Sequence, residues 1–338
     1  MHKLLEYKRQ INKTHRGLGN MYAFSLVASK ARKVCVLVAI AGSGKTTVMN
    51  SVKEQNKEKH LSLSSMTRSG LKQIQKEFYG FKGTLVIEDL GNVDTSYSLL
   101  ESVKTAIALA YDHGLTKLNS QLHLEIRNFF GGVLTSIQPE IMPTIITSPS
   151  WEAVIRDKAL RYYHLIRATK VNNTPIVIKA DWGKDLDSIR YVRSNNKRFK
   201  ELMAVFLDQF GLTRAEQHLT DMLKASAALD GREEVNATDL NALLEITRPM
   251  RLEKYVIYKE GIAGLKYFKT DDVYTLTEFA TYGIVTIAQL MTDWSVSRRT
   301  VNRLLQMVDE YWLPNPKNTN ELHPSDETKQ ILKECGYN

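Results

Sequence analysis

The chain has 338 residues, 43% of them hydrophobic and 25% charged, with a formal net charge of +9. That composition excludes a disordered or collagen-like chain, and the length suffices for two or three compact units. Two cysteines, Cys35 and Cys335, exclude a disulfide-stapled scaffold, and the longest apolar run, Val34–Ala41, is far short of a bilayer span, so the chain reads as cytoplasmic with no membrane contact.

The charge is unevenly spread. Residues 1–180 hold 25 Lys+Arg against 13 Asp+Glu, a balance of +12, whereas residues 181–338 hold 21 against 24. A polyanionic partner of the first half is expected from that excess. In chain order, Met1–Gly17 is polar and basic and reads as an arm or a short helix. Asn20–Lys30 spaces Met21, Phe24, Val27 and Ala28 as one face of a helix.

Val34–Thr47 is the centre of the sequence. A β-branched apolar run, Val34–Ala39, enters Ala41-Gly42-Ser43-Gly44-Lys45-Thr46-Thr47, and a helical pattern follows over Lys45–Glu54. Glycines at 42 and 44 let backbone N–H groups gather around phosphate oxygens. Lys45 can reach β- and γ-phosphates, Thr46 can hold Mg²⁺, and the helix N-terminus favours an anion. The stretch resembles the phosphate loop of the P-loop NTPases, departing from it at Ala39, where the first glycine of the pattern stands. The resemblance implies ATP as ligand with Mg²⁺, and places the Asn20–Lys30 helix beside the adenine.

His60–Ser65 alternates like a strand and Ser69–Tyr79 reads as a helix. Thr84–Leu90 is an apolar strand ending in Glu88 and Asp89. In such ATPases one acid at this position holds Mg²⁺ and the other polarises the attacking water. The order here is Glu then Asp, the reverse of the usual one. Either Glu88 orients the metal and Asp89 is the base, or Asp89 is the metal acid and the base lies elsewhere or is missing. Ser96–Tyr111 is an amphipathic helix, and Lys117–Asn128 alternates as a strand or hairpin inserted before the next core strand, Phe129–Ile137. Thr135 and Ser136 at its tip match the polar group that feels the γ-phosphate. Tyr162–Ala168 is read as the fifth strand. Arg161, and second to it Arg156, match the arginine that ring-forming members insert into a neighbour's site.

A composition shift at Val171–Lys184 marks a boundary. Leu186–Thr247 is helical and resembles the lid of AAA+ ATPases. There Arg214 matches the arginine that reaches back to the γ-phosphate, with Arg198 a weaker candidate. Asp271–Asn338 resembles a winged helix. Ser297 caps a recognition-type helix carrying Arg298, Arg299 and Arg303, and Tyr311–Leu322 is the wing. This segment has 6 Lys+Arg against 10 Asp+Glu, so a DNA contact and a role in packing or docking a protein partner both stay open.

Taken together the chain resembles AAA+ ATPases of the group that includes origin-recognition initiators and minichromosome-maintenance helicases. The resemblance implies an α/β fold with a parallel sheet of order 5-1-4-3-2, an all-α lid and a C-terminal winged helix. The expected divisions are 1–180 core, 181–250 lid, 251–270 linker and 271–338 winged helix. It implies an ATPase that assembles with copies of itself, its sites completed between subunits, and that acts on DNA as an initiator, helicase or helicase loader. Lys117 and Arg127 of the inserted hairpin are expected to touch a phosphate backbone in a central pore. The alternatives are a protein-remodelling or partner-loading ATPase, and a slowly hydrolysing, nucleotide-gated assembly switch.

Overall fold

Apolar runs without polar alternation form strands covered on both faces. The computed structural model of the protein describes residues 1–55, 60–64, 66, 68–88, 90, 95–118, 123–168, 175–180, 182–193, 196–260 and 265–337. Two helices, α1 (Lys3–Thr14) and α2 (Leu18–Lys30), lead into β1 (Val34–Ala39), and α3 (Lys45–Glu54) follows the glycine turn. Next come β2 (His60–Leu63), α4 (Arg68–Gln73), β3 (Thr84–Ile87) and α5 (Ser96–Tyr111), the last capped by Thr95, whose hydroxyl accepts from the Ser98 N–H. A hairpin of β4 (Gly114–Leu118) and β5 (His123–Arg127) precedes β6 (Gly132–Ile137). Helix α6 (Met142–Ile146), a π-helical turn over Trp151–Ile155 and the single turn α7 (Arg156–Lys158) lead to β7 (Ala159–His164).

The central sheet has five strands in the order β2-β3-β6-β1-β7, and every pairing in it is parallel. The fold is therefore α/β. The fifth strand begins three residues earlier than the sequence reading placed it, because Ala159 and Leu160 already pair with Val34 and Cys35. Alternation divides the side chains of the sheet between two layers. Val34, Val36 and Val38 join Leu85, Val133 and Tyr163 in one core with α5. Cys35 and Leu37 join Val86, Leu134 and Tyr162 in the other, with α2 and α3. Helix α2 is buried over nearly its whole length. It runs behind the sheet, and hydroxyls of Ser29 and Thr84 meet there at 2.5 Å.

The helical stretch that follows comprises α8 (Lys197–Leu207), α9 (Leu212–Leu229) and α10 (Ala237–Thr247). A capping box of Asn236 and Asp239 starts α10. These three helices share the α2 core, and Lys33 at the start of β1 pairs with Asp221 on α9 at 2.5 Å. The stretch expected to lie over the nucleotide as a lid thus packs behind the sheet, against α2 and beside the beginning of β1. Of the two forms expected for residues 1–17, an arm or a short helix, the chain takes the helix α1, and the preceding His2 side chain joins Asp239 and Ser226, each at 3.0 Å.

The expected linker, 251–270, is structured. It holds α11 (Glu253–Val256) and the hairpin of β8 (Ile257–Glu260) and β9 (Leu265–Phe268). Beyond it lie α12 (Thr270–Tyr282), β10 (Val285–Thr286), α13 (Ile287–Asp293), α14 (Arg298–Met307), β11 (Trp312–Asn315), β12 (Asn318–Pro324) and α15 (Asp326–Glu334). Strands β10, β12 and β11 form a small antiparallel sheet in that order. Ser297 caps α14, whose Val301 and Leu305 are buried. The C-terminal elements share the α5-side core, and the Tyr163 and Phe268 rings stack at 6.5 Å. No helix among the described residues is long and apolar enough to cross a membrane.

Candidate nucleotide site

The turn between β1 and α3 has the backbone that its glycines permit. Gly42 and Gly44 adopt φ values of 70° and 85°, a region costly for any residue with a Cβ. A Cβ on Gly44 would also stand 2.8 Å from the Leu18 side chain. Lys45 is drawn back onto the turn, donating to the Ala39 and Ile40 carbonyls at 2.6 and 2.8 Å. The Ser43 hydroxyl is buried without a hydrogen-bond partner, and the Thr46 side chain is exposed. The turn is thus a row of amides with one unsatisfied hydroxyl and one self-clamped ammonium, a set that suits a phosphate chain.

This turn opens on a cavity of about 1060 Å³, lined by Ala41's neighbours Gly42–Thr47, by the α1–α2 turn and by residues from the end of β7 and the chain's last residues. Lys8, Arg16, Lys45 and Arg167 contribute to the lining, and among the described residues no Asp or Glu does. An enclosure to which four cations contribute fits a polyphosphate. The sequence reading missed Arg16, Arg167 and Tyr337. Nothing local marks them, since they come together only through the parallel pairing of β1 with β7 and the return of the chain terminus.

Arg167 ties this cavity to the C-terminal helices. Its guanidinium donates to Glu278 of α12 at 2.6 Å and lies 3.8 Å from Asp293 of α13, while its backbone N–H donates to the Thr281 hydroxyl at 2.9 Å. Burial raises the Glu278 carboxyl above its usual range, against the pull of Arg167. The Tyr337 hydroxyl donates to the Tyr163 carbonyl at 2.6 Å and accepts from Leu165 at 3.2 Å. His164, opposite Ala39 in register, is fully buried; burial and the Lys45 charge push its pKa down to about 3. The imidazole is therefore neutral beside the phosphate turn.

The strand-tip polar residues lie one and two strands away. Thr135 and Ser136 pair with Val36 and Leu37 of β1 and are buried. Ser136 donates to the Glu88 carbonyl at 2.9 Å. Glu88 continues the face of Thr84 and Val86, which is the face of α3. Its carboxylate accepts from Ser62 of the next strand outward at 3.1 Å, and it is not among the residues lining the cavity. Asp89 lies outside the described residues. Among the described residues no three acids, histidines or cysteines converge on a metal position. Among the described residues expected to hold Mg²⁺, Thr46 lines the cavity and Glu88 does not.

The expected arginines need correction. Arg161 lies inside β7 and only 1% of its side chain is exposed. It forms a fork with Glu253, 2.6 Å from Nε and 2.8 Å from Nη2, and the Tyr163 hydroxyl donates to the same carboxylate at 3.0 Å. Its remaining N–H groups donate to the carbonyls of Arg156, Ala159 and Gln209. All five donors are spent within one chain, so Arg161 cannot enter a neighbour's site.

Arg214 is equally displaced from the role expected of it. It donates to Asp157 at 2.7 Å and to Gln217 at 2.8 Å, and it lies over the Tyr111 ring at 4.9 Å. Asp157 precedes β7, and β7 starts level with Val34. The phosphate turn follows the other end of β1, so Arg214 stands one strand length away, roughly 15–20 Å. It cannot touch a phosphate on its own chain's turn. Arg156, paired with Glu152 at 2.9 Å, and Lys158, 4.5 Å over Tyr111, share that corner. Arg198 is exposed and near Glu201 at 3.9 Å, with no route to the cavity.

The arginines expected on DNA are on the surface. Arg298, Arg299 and Arg303 are exposed, and Arg298 donates to Asn320 of the β11–β12 hairpin at 2.5 Å. Arg127 is exposed and bonded to Glu125 at 2.7 Å. Lys117 pairs with Leu124 in the β4–β5 ladder, and its side chain lies outside the described residues. No family model matches the chain, and no curated protein matches it.

Proposed function

We propose that the chain binds Mg-ATP on the Gly42–Thr47 turn and is an ATPase of the AAA+ type that assembles with copies of itself and acts on DNA. The observation that carries this reading is the turn itself. Two left-handed glycines, a clamped Lys45 and an exposed Thr46 sit between a buried parallel strand and a helix N-terminus, at a cavity to which Lys8, Arg16 and Arg167 also contribute. Numbered by the parallel strands alone, the sheet order is 5-1-4-3-2, the order that the resemblance implies. When bound, Mg²⁺ would neutralise developing phosphate charge; Thr46 and one of Glu88 and Asp89 would hold it in this reading.

The neighbour's contribution is reassigned. Arg156 and Arg214, at the far end of β7, take the place expected of Arg161, because both have exposed area and neither reaches its own chain's turn. Helix α14 and the β11–β12 hairpin form a winged-helix unit in this reading, with Arg298, Arg299 and Arg303 on its outer face. DNA is the favoured partner over a protein because of those arginines and the +12 balance of residues 1–180.

A second reading, a slowly hydrolysing assembly switch, is favoured by one specific contact. Glu88 is engaged by Ser62, away from β1. ATPase rates with and without single- and double-stranded DNA separate the two. A motor gives a DNA-stimulated rate that vanishes in Lys45→Ala. A switch gives nucleotide-dependent assembly with a low rate that DNA leaves unchanged. Neither assembly nor a Lys45-dependent rate would refute both.

A further inference from the structure

A second cavity, of about 930 Å³, opens at the opposite end of the sheet, where the strands begin. Its walls come from the end of α2 and the turn into β1, from residues preceding β3 and β6, and from residues 175–180 and 182–186. The first of these two stretches is fastened over the end of α3: Ser51 donates to the Ile176 carbonyl at 3.0 Å and the Ala180 N–H to Gln55 at 2.8 Å.

The lining combines cations with aromatic faces. Among the described residues, Lys30, Arg32, Lys82 and Lys179 contribute four positive charges, against Glu54 and Asp185. The Lys30 ammonium lies 5.4 Å over the Trp182 ring, and the Arg32 guanidinium 5.4 Å over Phe130. The positive field there is felt by Asp185, whose carboxyl is held below its usual range by the Asp187 N–H and by Arg32, Lys82 and Lys30, against the effect of burial. Arg32 also takes the left-handed φ of 58° at the end of α2, where glycine is the usual residue. Strain of that kind persists where the surroundings fix the residue, here Asp185 and Asp187 at 3.2 Å.

We propose that this cavity binds a phosphorylated nucleoside unit, with its base on Trp182 or Phe130 and its phosphate among Lys30, Lys82 and Lys179, and that the source is a single strand of nucleic acid. Aromatic faces accept any base, and lysines follow the backbone, which is the chemistry of sequence-tolerant strand binding. A free mononucleotide has the same chemistry, and strand length distinguishes the two. The choice of a strand rests on the proposed action on DNA; the chemistry of the cavity does not.

The test is fluorescence anisotropy of labelled oligo(dT) of two to twelve nucleotides with the full chain, at several salt concentrations. Lys82→Glu with Lys179→Glu, both at exposed positions, is expected to weaken binding at least tenfold and to flatten the salt dependence by about one unit of slope. Trp182→Ala is expected to weaken it at least fivefold, and Trp182→Phe to retain it, which separates stacking from damage to the fold. Lys200→Glu, on the exposed face of α8, should leave short-oligonucleotide affinity unchanged. Affinity that grows with length assigns the site to a strand; affinity equal to that of thymidine monophosphate at every length assigns it to a free nucleotide and overturns the strand. Wild-type affinity in both the lysine pair and Trp182→Ala, or no binding by the wild type, overturns the cavity's role altogether. Lys45→Ala is expected to lose ATP and keep the oligonucleotide, so failure of the ATP reading is scored separately.

Discussion

Arg161 and Glu253 are a buried ion pair whose worth depends on both partners. Removing one leaves a charge in the core, a loss of about 3–5 kcal/mol. Arg161→Ala is therefore expected to lower unfolding free energy by about that amount in urea titration. Joint replacement by Met and Leu should recover much of it. A loss below about 1 kcal/mol would mean that the guanidinium is solvated, as a surface arginine would be. The buried histidines give a pH signature. His164 and His218 are both lowered to about 3, mainly by burial. Each stays neutral in the folded chain while the unfolded chain takes up a proton below its ordinary value of 6.5. Stability should rise with pH between about 3 and 6.5, and His218→Gln should reduce that slope in acid denaturation. An unchanged slope would show that His218 titrates normally.

At the scale of elements, an acidic residue near the end of α15 ties that helix to α11. Glu334 accepts from Lys254 at 2.8 Å and from the Tyr255 hydroxyl at 2.7 Å, and these bonds lower its pKa to about 2. The carboxylate stabilises the folded chain above its ordinary value of 4.5, and that contribution is lost as pH falls through about 2. Glu334→Gln should raise amide exchange in α15 at neutral pH, and should abolish the acid-dependent rise expected of the wild type between those values. Equal exchange in both would remove Glu334 as the fastener. The strands were legible in the sequence because Val34–Ala39 and Thr84–Ile87 are continuous apolar runs with polar ends. The glycine turn was legible because its chemistry is local. The place of α8–α10 was not. An amphipathic helix declares that it buries a face, but not which surface covers it, and here α2 supplies that surface. Arg161 was misjudged for a related reason: the start of β7 is fixed by pairing with β1, and a shift of three residues turns an arginine before the strand into one inside it.

Over the whole molecule, the phosphate turn and the C-terminal helices meet through Arg167. The guanidinium lines the cavity and is held by Glu278 and Asp293 from behind. A phosphate chain on the turn competes with those carboxylates for one cation, so occupancy should loosen α12 from β7. Amide exchange in α12 and α13 is expected to rise on ATP binding in the wild type. In Arg167→Ala it should be high with or without nucleotide. Identical exchange in all four conditions would show that the two parts are uncoupled. The ion pairs on the reverse side, from Lys33–Asp221 to Arg214–Asp157, should be indifferent to nucleotide, because a full strand length separates them from the turn.

Calorimetric titration of ATP into the full chain, with and without Mg²⁺, tests the central claim most directly when it is paired with Lys45→Ala. The account expects magnesium-dependent binding at the turn, with affinity reduced at least a hundredfold in the variant. Binding that ignores both magnesium and the lysine, or no binding by the wild type, would contradict it.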